Sequence, residues 1–320
     1  MSGSPLVSVI TPAYNRASFL KETIESVISQ DYPNLQYIVL DDGSTDNTKE
    51  IVQQYARRLY WESHPNMGET RTVNRGFSLA EGEILGVVNS DDPLLPGAIS
   101  AAVDAMAAKP DVVVAYPDWD MIDAEGQKIQ HIQTYEYDYL NMLRWHHCIP
   151  GPGTFFRKWV VERLAGRDVQ FRYVADFDFW LRAGLLGQFL RIPQTFATFR
   201  WHAGGASSQG QGIVMAEEHL RLVRKIFSMT NLMPPVKAVK REAFGSAYYI
   251  AAVVLGSSSP GLRKSYFRKS LALSPVKYLF EYRPRLLNSI APALFGPRTL
   301  SALRKLNALF PLARPFSCPS

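Results

Sequence analysis

The chain has 320 residues, 47% of them hydrophobic and 20% charged, enough apolar material for one large or two smaller folded domains and too little polarity for disorder. Its two cysteines, Cys148 and Cys318, are too few and too far apart for a disulfide framework or a cysteine metal cluster. The net charge of +6 is unevenly spread: residues 234–320 hold 14 Lys/Arg against Glu242 and Glu281, a net of +12, which leaves −6 for the rest.

The first residues, Met1-Ser2-Gly3-Ser4-Pro5, lack the basic-then-apolar pattern of a signal peptide. The best apolar stretch, Ala247 to Leu255, falls well short of the roughly 18 residues of a spanning helix. A cytoplasmic protein in a reducing compartment is expected. The spacing then predicts a strand at Val7–Ile10, a helix carrying Leu20, Ile24, Val27 and Ile28, and a strand at Tyr37–Leu40. A helix around Ile51–Tyr55, a short strand at Leu59–Trp61, a helix over Thr72–Ala80 and a strand at Ile84–Val88 follow. Next come a helix at Gly97–Ala108 and a strand at Val112–Tyr116. Strands alternating with helices imply right-handed crossovers and a mainly parallel sheet. From about Asp118 to Pro150 the periodicity loosens. It returns with Thr154–Phe156, helices near Lys158–Ala165 and from Asp176, and two strands at Gln188–Ile192 and Thr195–Arg200. Gly204–Gly212 reads as a flexible loop and Val214–Phe227 as a helix. Past Pro234-Pro235 the pattern is helical, broken at Ser257–Pro260, Ser274-Pro275 and Gly296-Pro297, with residues 240–275 fitting an antiparallel helix pair. The domain boundary is placed near residue 232, giving an α/β domain over 1–232 and a basic helical region over 233–320.

Two carboxylate pairs stand at strand ends. Asn89-Ser90-Asp91-Asp92 follows the strand Ile84–Val88, and Asp41-Asp42 follows Tyr37–Leu40 and leads into Gly43-Ser44-Thr45-Asp46. Carboxylates at the carboxyl edge of a parallel sheet supply the hard oxygens that a divalent cation on a diphosphate needs. Each pair taken alone also fits a turn followed by a helix cap, with Asp46 as the capping residue. Two other groupings fail as sites. His146-His147-Cys148 lacks zinc-site spacing, and Gly151-Pro152-Gly153 lacks the third glycine and the strand–turn–helix context of a dinucleotide fingerprint.

Together, Val7–Asn15, Asp41–Asp46, Asn66-Met67-Gly68, Asn74-Arg75-Gly76, Asn89–Asp92 and Asp176–Arg182 resemble the ordered motifs of family 2 glycosyltransferases, over roughly residues 5–205. The resemblance implies a GT-A fold with a C-terminal helical extension, and an inverting transfer from a nucleoside-diphosphate sugar with Mn²⁺ or Mg²⁺. It implies that Thr11, Pro12, Ala13 and Tyr14 form the base-binding loop, with Tyr14 stacking on the ring. Asp42 would accept from the imide N–H of the base, supported by Asp41. Asn89 and Asp91 would contact the ribose or sugar, Asp92 would ligate the metal and His202 would complete its shell. Asp176 would be the general base, with Asp178 its structural neighbour, and Ile149–Phe156 would lie beside the acceptor. Arg71 and Arg75 are cations placed to meet the diphosphate. Two departures stand out: Ala175 precedes Asp176 where the family usually has Glu, and Val73 precedes Asn74 where many relatives have Arg.

In the tail, Arg283, Arg285, Arg298, Arg304, Lys305 and Arg314 accompany an apolar set that includes Leu286, Ile290, Leu300, Leu303 and Phe310. That combination suits a membrane-surface helix at the inner face of a membrane, or a helical subdomain with a solvated basic face. No nucleic-acid-binding module is recognisable. The expected function is transfer of a sugar, from a UDP-sugar first, to a hydroxyl of a saccharide or glycolipid in cell-surface glycan assembly. The alternatives are a catalytically silent sugar-nucleotide-binding or scaffold protein and, third, a nucleotidyltransferase, which would want a Gly-rich basic loop that Thr11–Arg16 does not supply.

Overall fold

The structure, a computed structural model, describes residues 4–205 and 212–275. Its centre is β1 (Val7–Ala13), buried along its whole length and therefore apolar on both faces. α1 (Ala17–Ile28) covers it with Leu20, Ile24 and Val27, all fully buried. β2 (Leu35–Asp41) and β3 (Tyr60–Ser63) extend the sheet on one side, with α2 (Thr48–Gln53) between them. α3 (Glu69–Leu79) then crosses back to β4 (Ile84–Val87) on the other side of β1, and all four strands run parallel. The strand order 3-2-1-4 reverses direction at β1, which opens a crevice at the carboxyl ends of β1 and β4.

Beyond β4 the sheet becomes mixed. α4 (Ala98–Ala108) leads to β5 (Val112–Ile122), and β6 (Lys128–Ile132) pairs antiparallel with its second half. α5 (Tyr139–Trp145) precedes β7 (Phe155–Arg157), a three-residue strand wedged antiparallel between β4 and β5. α6 (Lys158–Leu164), α7 (Ala175–Ala183) and β8 (Gln188–Arg200), parallel to β5, complete it. The loosened stretch after Asp118 thus holds the second half of β5 and two further elements, β6 and α5, that periodicity does not reveal. The two strands expected at 188–200 are one, interrupted where Pro117 faces Ile192 and Asp118 faces Thr195, so that Pro193 and Gln194 bulge out. Proline has no N–H for the ladder, and a bulge accommodates it.

The described residues divide into two compact units: one of residues 4–142 and 148–205, the other of 143–147 and 212–275. The second contains α8 (Gly212–Ser228), α9 (Pro234–Ala238), α10 (Lys240–Leu255) and α11 (Pro260–Leu273). Its core joins Ala216, Leu220 and Val223 of α8 to Ala247, Ala251, Leu255 and Phe267. α8 belongs with the later helices, to which it gives its apolar face. α10 and α11 form the helix pair read from residues 240–275. The basic tail past 275 and most of the 204–212 loop lie outside the described residues. Among the described residues no helix is long and apolar enough to cross a membrane.

Candidate active site

The loop after β1 is built by cross-bonds to the loop after β2. Asn15, held at a left-handed φ of 53°, donates its N–H to Ser44 Oγ at 2.9 Å and accepts from the Thr45 N–H through Oδ1 at 2.8 Å. Asp46 accepts from the Thr48 and Ala17 N–H groups, so it starts both α2 and α1. These bonds leave Tyr14 46% exposed at the crevice mouth, as a base-stacking ring requires. Thr11 is buried against the Tyr37 hydroxyl at 3.0 Å, while Pro12 and Ala13 lie within β1. Only Tyr14 of those four presents a side chain outward.

The first carboxylate pair is fully engaged by the protein. Asp41 accepts from the Ser44 N–H at 3.1 Å and the Ser63 hydroxyl at 2.7 Å. Asp42 accepts from the N–H groups of Met67 (2.7 Å) and Gly68 (3.0 Å), and its carbonyl accepts from the Asn66 amide. Asp42 therefore fixes the Asn66–Gly68 turn that opens α3, and its remaining lone pairs are what is left for a ligand. Asn74 clasps residue 167 with both ends of its amide, at 2.8 Å each. The two Asn-containing motifs thus set the crevice wall.

The second pair splits into two roles. Asp92 is buried, with Oδ1 accepting from the Arg200 N–H at 2.8 Å and Oδ2 from the Asn89 amide at 2.9 Å. Burial, reinforced by the neighbouring charge of Asp91, pushes its pKa up to about 8 against those two bonds. Asp91 faces the crevice. Its Oδ2 receives Arg16 Nε at 2.9 Å and lies 3.0 Å from His202 Nε2. His202 sits against the Phe19 ring with centroids 4.6 Å apart, and Arg200, laid over the same ring, is tied to Glu22 at 2.6 Å. The sequence reading gives the metal to Asp92 with His202 and the ribose to Asp91; the geometry brings His202 to Asp91 and turns Asp92 inward. Arg16 was not singled out from the sequence, and it is the cation in contact with this carboxylate. Arg75 instead pairs with Glu62 at 2.7 Å, and Arg71 is exposed on α3.

His202 Nε2 and Asp91 Oδ2 are hydrogen-bonded at 3.0 Å, and an imidazole beside a carboxylate is a donor pair that can hold a divalent cation. No cluster of three or more metal-ligating side chains occurs among the described residues.

Across the crevice, α7 presents its first turn. Asp178 is fully buried and bonded to Arg182 Nε at 2.8 Å, and Arg182 also donates to the carbonyls of Leu164 and Gly166. Asp176 is exposed. Its charge acts on Glu69, as does that of Asp91, so both carboxylates address one cleft with Glu69 and Arg167, which pair at 3.3 Å. Burial raises the thiol of Cys148, and Asp176 adds to that shift.

The chain is similar to known glycosyltransferases. Residues 8–164 match the family model described as Glycosyl transferase family 2. An uncharacterized glycosyltransferase of Rickettsia typhi is 27% identical over 201 residues, 60% of this chain and 61% of the relative, so the match spans about three fifths of that protein. Among solved structures, residues 1–349 of S. aureus TarS superpose with a TM-score of 0.66 at 17% identity, covering 95% of this chain and 90% of that one. A mannosyltransferase from Pyrobaculum calidifontis, solved with GDP-Man and Mn²⁺, gives 0.59 at 19% identity over 97% and 88% of the two chains. TarS has also been solved with UDP. At these identities the likeness establishes the fold, a GT-A sheet with flanking helices.

Proposed function

The chain belongs to glycosyl transferase family 2, and from that premise we propose that it is an inverting glycosyltransferase. It moves a sugar from a nucleoside-diphosphate donor to a hydroxyl of a saccharide or glycolipid acceptor. The observation that carries the reading is the cluster of Asp91, His202 and Arg16 at the carboxyl ends of β1 and β4, with an exposed carboxylate, Asp176, on the facing helix, one of whose oxygens accepts from the Phe177 N–H. Tyr14 stacks on the base, and Asp42 holds the loop beside it. Arg16 neutralises developing charge on the leaving diphosphate, which is worth most where water is excluded. Asp91 and His202 would hold a divalent cation, whose chemistry is to stabilise negative charge on the phosphate oxygens. Asp92 orients Asp91 from behind by bonding to residues 89 and 200. Asp176 accepts the proton of the attacking hydroxyl on the face opposite the diphosphate.

UDP is the first base to test, supported by the UDP complex of TarS, with GDP next on the strength of the mannosyltransferase. The setting we propose is cell-surface glycan assembly, with a peripheral position at the inner membrane face supported by the basic residues between 283 and 314. A thermal-shift panel of UDP, GDP and dTDP with and without Mn²⁺, followed by donor turnover, tests the reading. Metal-dependent stabilisation by one diphosphate is expected, because a ligand that binds only the folded state raises its melting temperature. No response to any diphosphate would end it, and binding without turnover of any sugar donor would leave a silent sugar-nucleotide-binding protein.

A further inference from the structure

The second unit contains an open groove of about 730 Å³ between α9, α10 and α11. Lys237, Lys240, Arg241 and Lys269 line it together with the rings of Phe244 and Tyr248. Lys240, Phe244 and Tyr248 recur every four residues on one face of α10, so a cation and two aromatics stand in one row. Arg241 is held toward α11 by its bond to the Ala272 carbonyl at 3.2 Å, and Lys269 Nζ sits 5.3 Å from the centre of the Tyr248 ring. The helices draw four cations around one opening.

Nothing among the described residues balances that charge. None of the four is in an ion pair there, and the one acidic residue of α9–α11, Glu242, is taken by Arg144 at 2.7 Å. Like charges gathered in this way repel, and an anion entering among them relieves the repulsion. The chain's own residues 276–320 are poorly suited to be that anion, since they carry seven Lys/Arg and only Glu281. Aromatic rings beside cations favour a ligand that is anionic at one end and apolar at the other.

We propose that this groove binds the phosphate headgroup of an anionic lipid and docks the helical unit on a membrane surface. The inference deepens the peripheral-membrane reading, but it rests on different residues from the tail. Sedimentation of the full chain with phosphatidylcholine vesicles, with and without phosphatidylglycerol, tests it. Binding is expected only when phosphatidylglycerol is present, and Lys237→Gln/Lys240→Gln should weaken it about thirtyfold. Both lysines are exposed, so the melting temperature of that variant should match the parent. Arg304→Gln/Lys305→Gln in the tail serves as the comparison. If the tail variant loses binding while the pocket variant keeps it, the peripheral location stands and the pocket inference falls. The inference falls equally if the parent ignores phosphatidylglycerol, or if Lys237→Gln/Lys240→Gln binds phosphatidylglycerol vesicles as tightly as the parent does.

Discussion

Asp176 and Asp178 stand two residues apart on one helix turn, and the fold gives them opposite environments. Asp178 has lost its water and is held by Arg182, which also carries the carbonyls of Leu164 and Gly166. Removing its charge leaves a buried guanidinium unpaired, so Asp178→Asn should cost about 3–5 kcal/mol in urea unfolding. Asp176→Asn should leave unfolding unchanged and lower turnover about 10²–10⁴-fold, with donor affinity retained. A variant pair that behaves the other way round would reassign the base. The same contrast separates the second carboxylate pair. Asp91→Asn and His202→Ala should each remove most of the Mn²⁺-dependent gain in UDP affinity measured by calorimetry, because both side chains meet at the crevice. Asp92→Asn, whose oxygens already serve residues 89 and 200, should act mainly on stability. Equal loss of the metal effect in Asp92→Asn would restore Asp92 as a ligand.

At the scale of elements, α3 approaches β1 so closely that a Cβ on Gly76 would sit 2.4 Å from Ile10 Cγ2. Gly76→Ala must push the helix away from the central strand, at a cost of about 1–3 kcal/mol in unfolding free energy. Turnover should fall too, since α3 carries Glu69 and is fixed to the Asp42 turn; a variant as stable and active as the parent would show that the helix can shift freely. Such contacts explain what was legible in the sequence and what was not. Strands β1, β2 and β4 are buried on both faces, so their apolar runs are plain, and the carboxylates after them mark the crevice. β6 is an exposed strand of Lys128, Gln130 and His131, with no buried face to give it a period. Pro193 makes one strand look like two. Which of Asp91 and Asp92 faces outward was not readable locally, because the decision is made by the N–H of Arg200, 108 residues away. Arg16 was hidden for the same reason: its contact with Asp91 exists only once β1 and β4 are side by side. The Asn66 and Asn74 motifs were recognisable as residues, but their work is to hold loops, which only the amide bonds reveal.

For the whole molecule, the chain divides into an α/β unit that holds the crevice and a helical unit whose core has its own polar centre. In the helical unit, His146 at the end of α5 meets His219 of α8, Nε2 to Nδ1 at 2.9 Å, both rings buried. Burial holds His219 down to about 4, and burial, with the neighbouring His219 and His147, holds His146 well below its ordinary value. A proton on His219 would also leave its buried Nε2 without an acceptor among the described residues. The sign follows directly. Between about pH 4 and 6.5 the unfolded chain binds protons at these histidines and the folded chain does not, so stability rises with pH there and levels off above about 6.5. At pH 5 the loss attributable to His219 alone is about 2 kcal/mol relative to pH 7.5. His219→Asn cannot titrate, so its urea midpoint should fall less than the parent's between pH 7.5 and 5, whatever its stability at pH 7.5. Hydrogen exchange should show the parent's acid-induced opening in α8 and α10, whose side chains share this unit's core. Parallel pH profiles for parent and variant would mean that the pair is protonated in the folded state as readily as in the unfolded one, and that burial does not govern it.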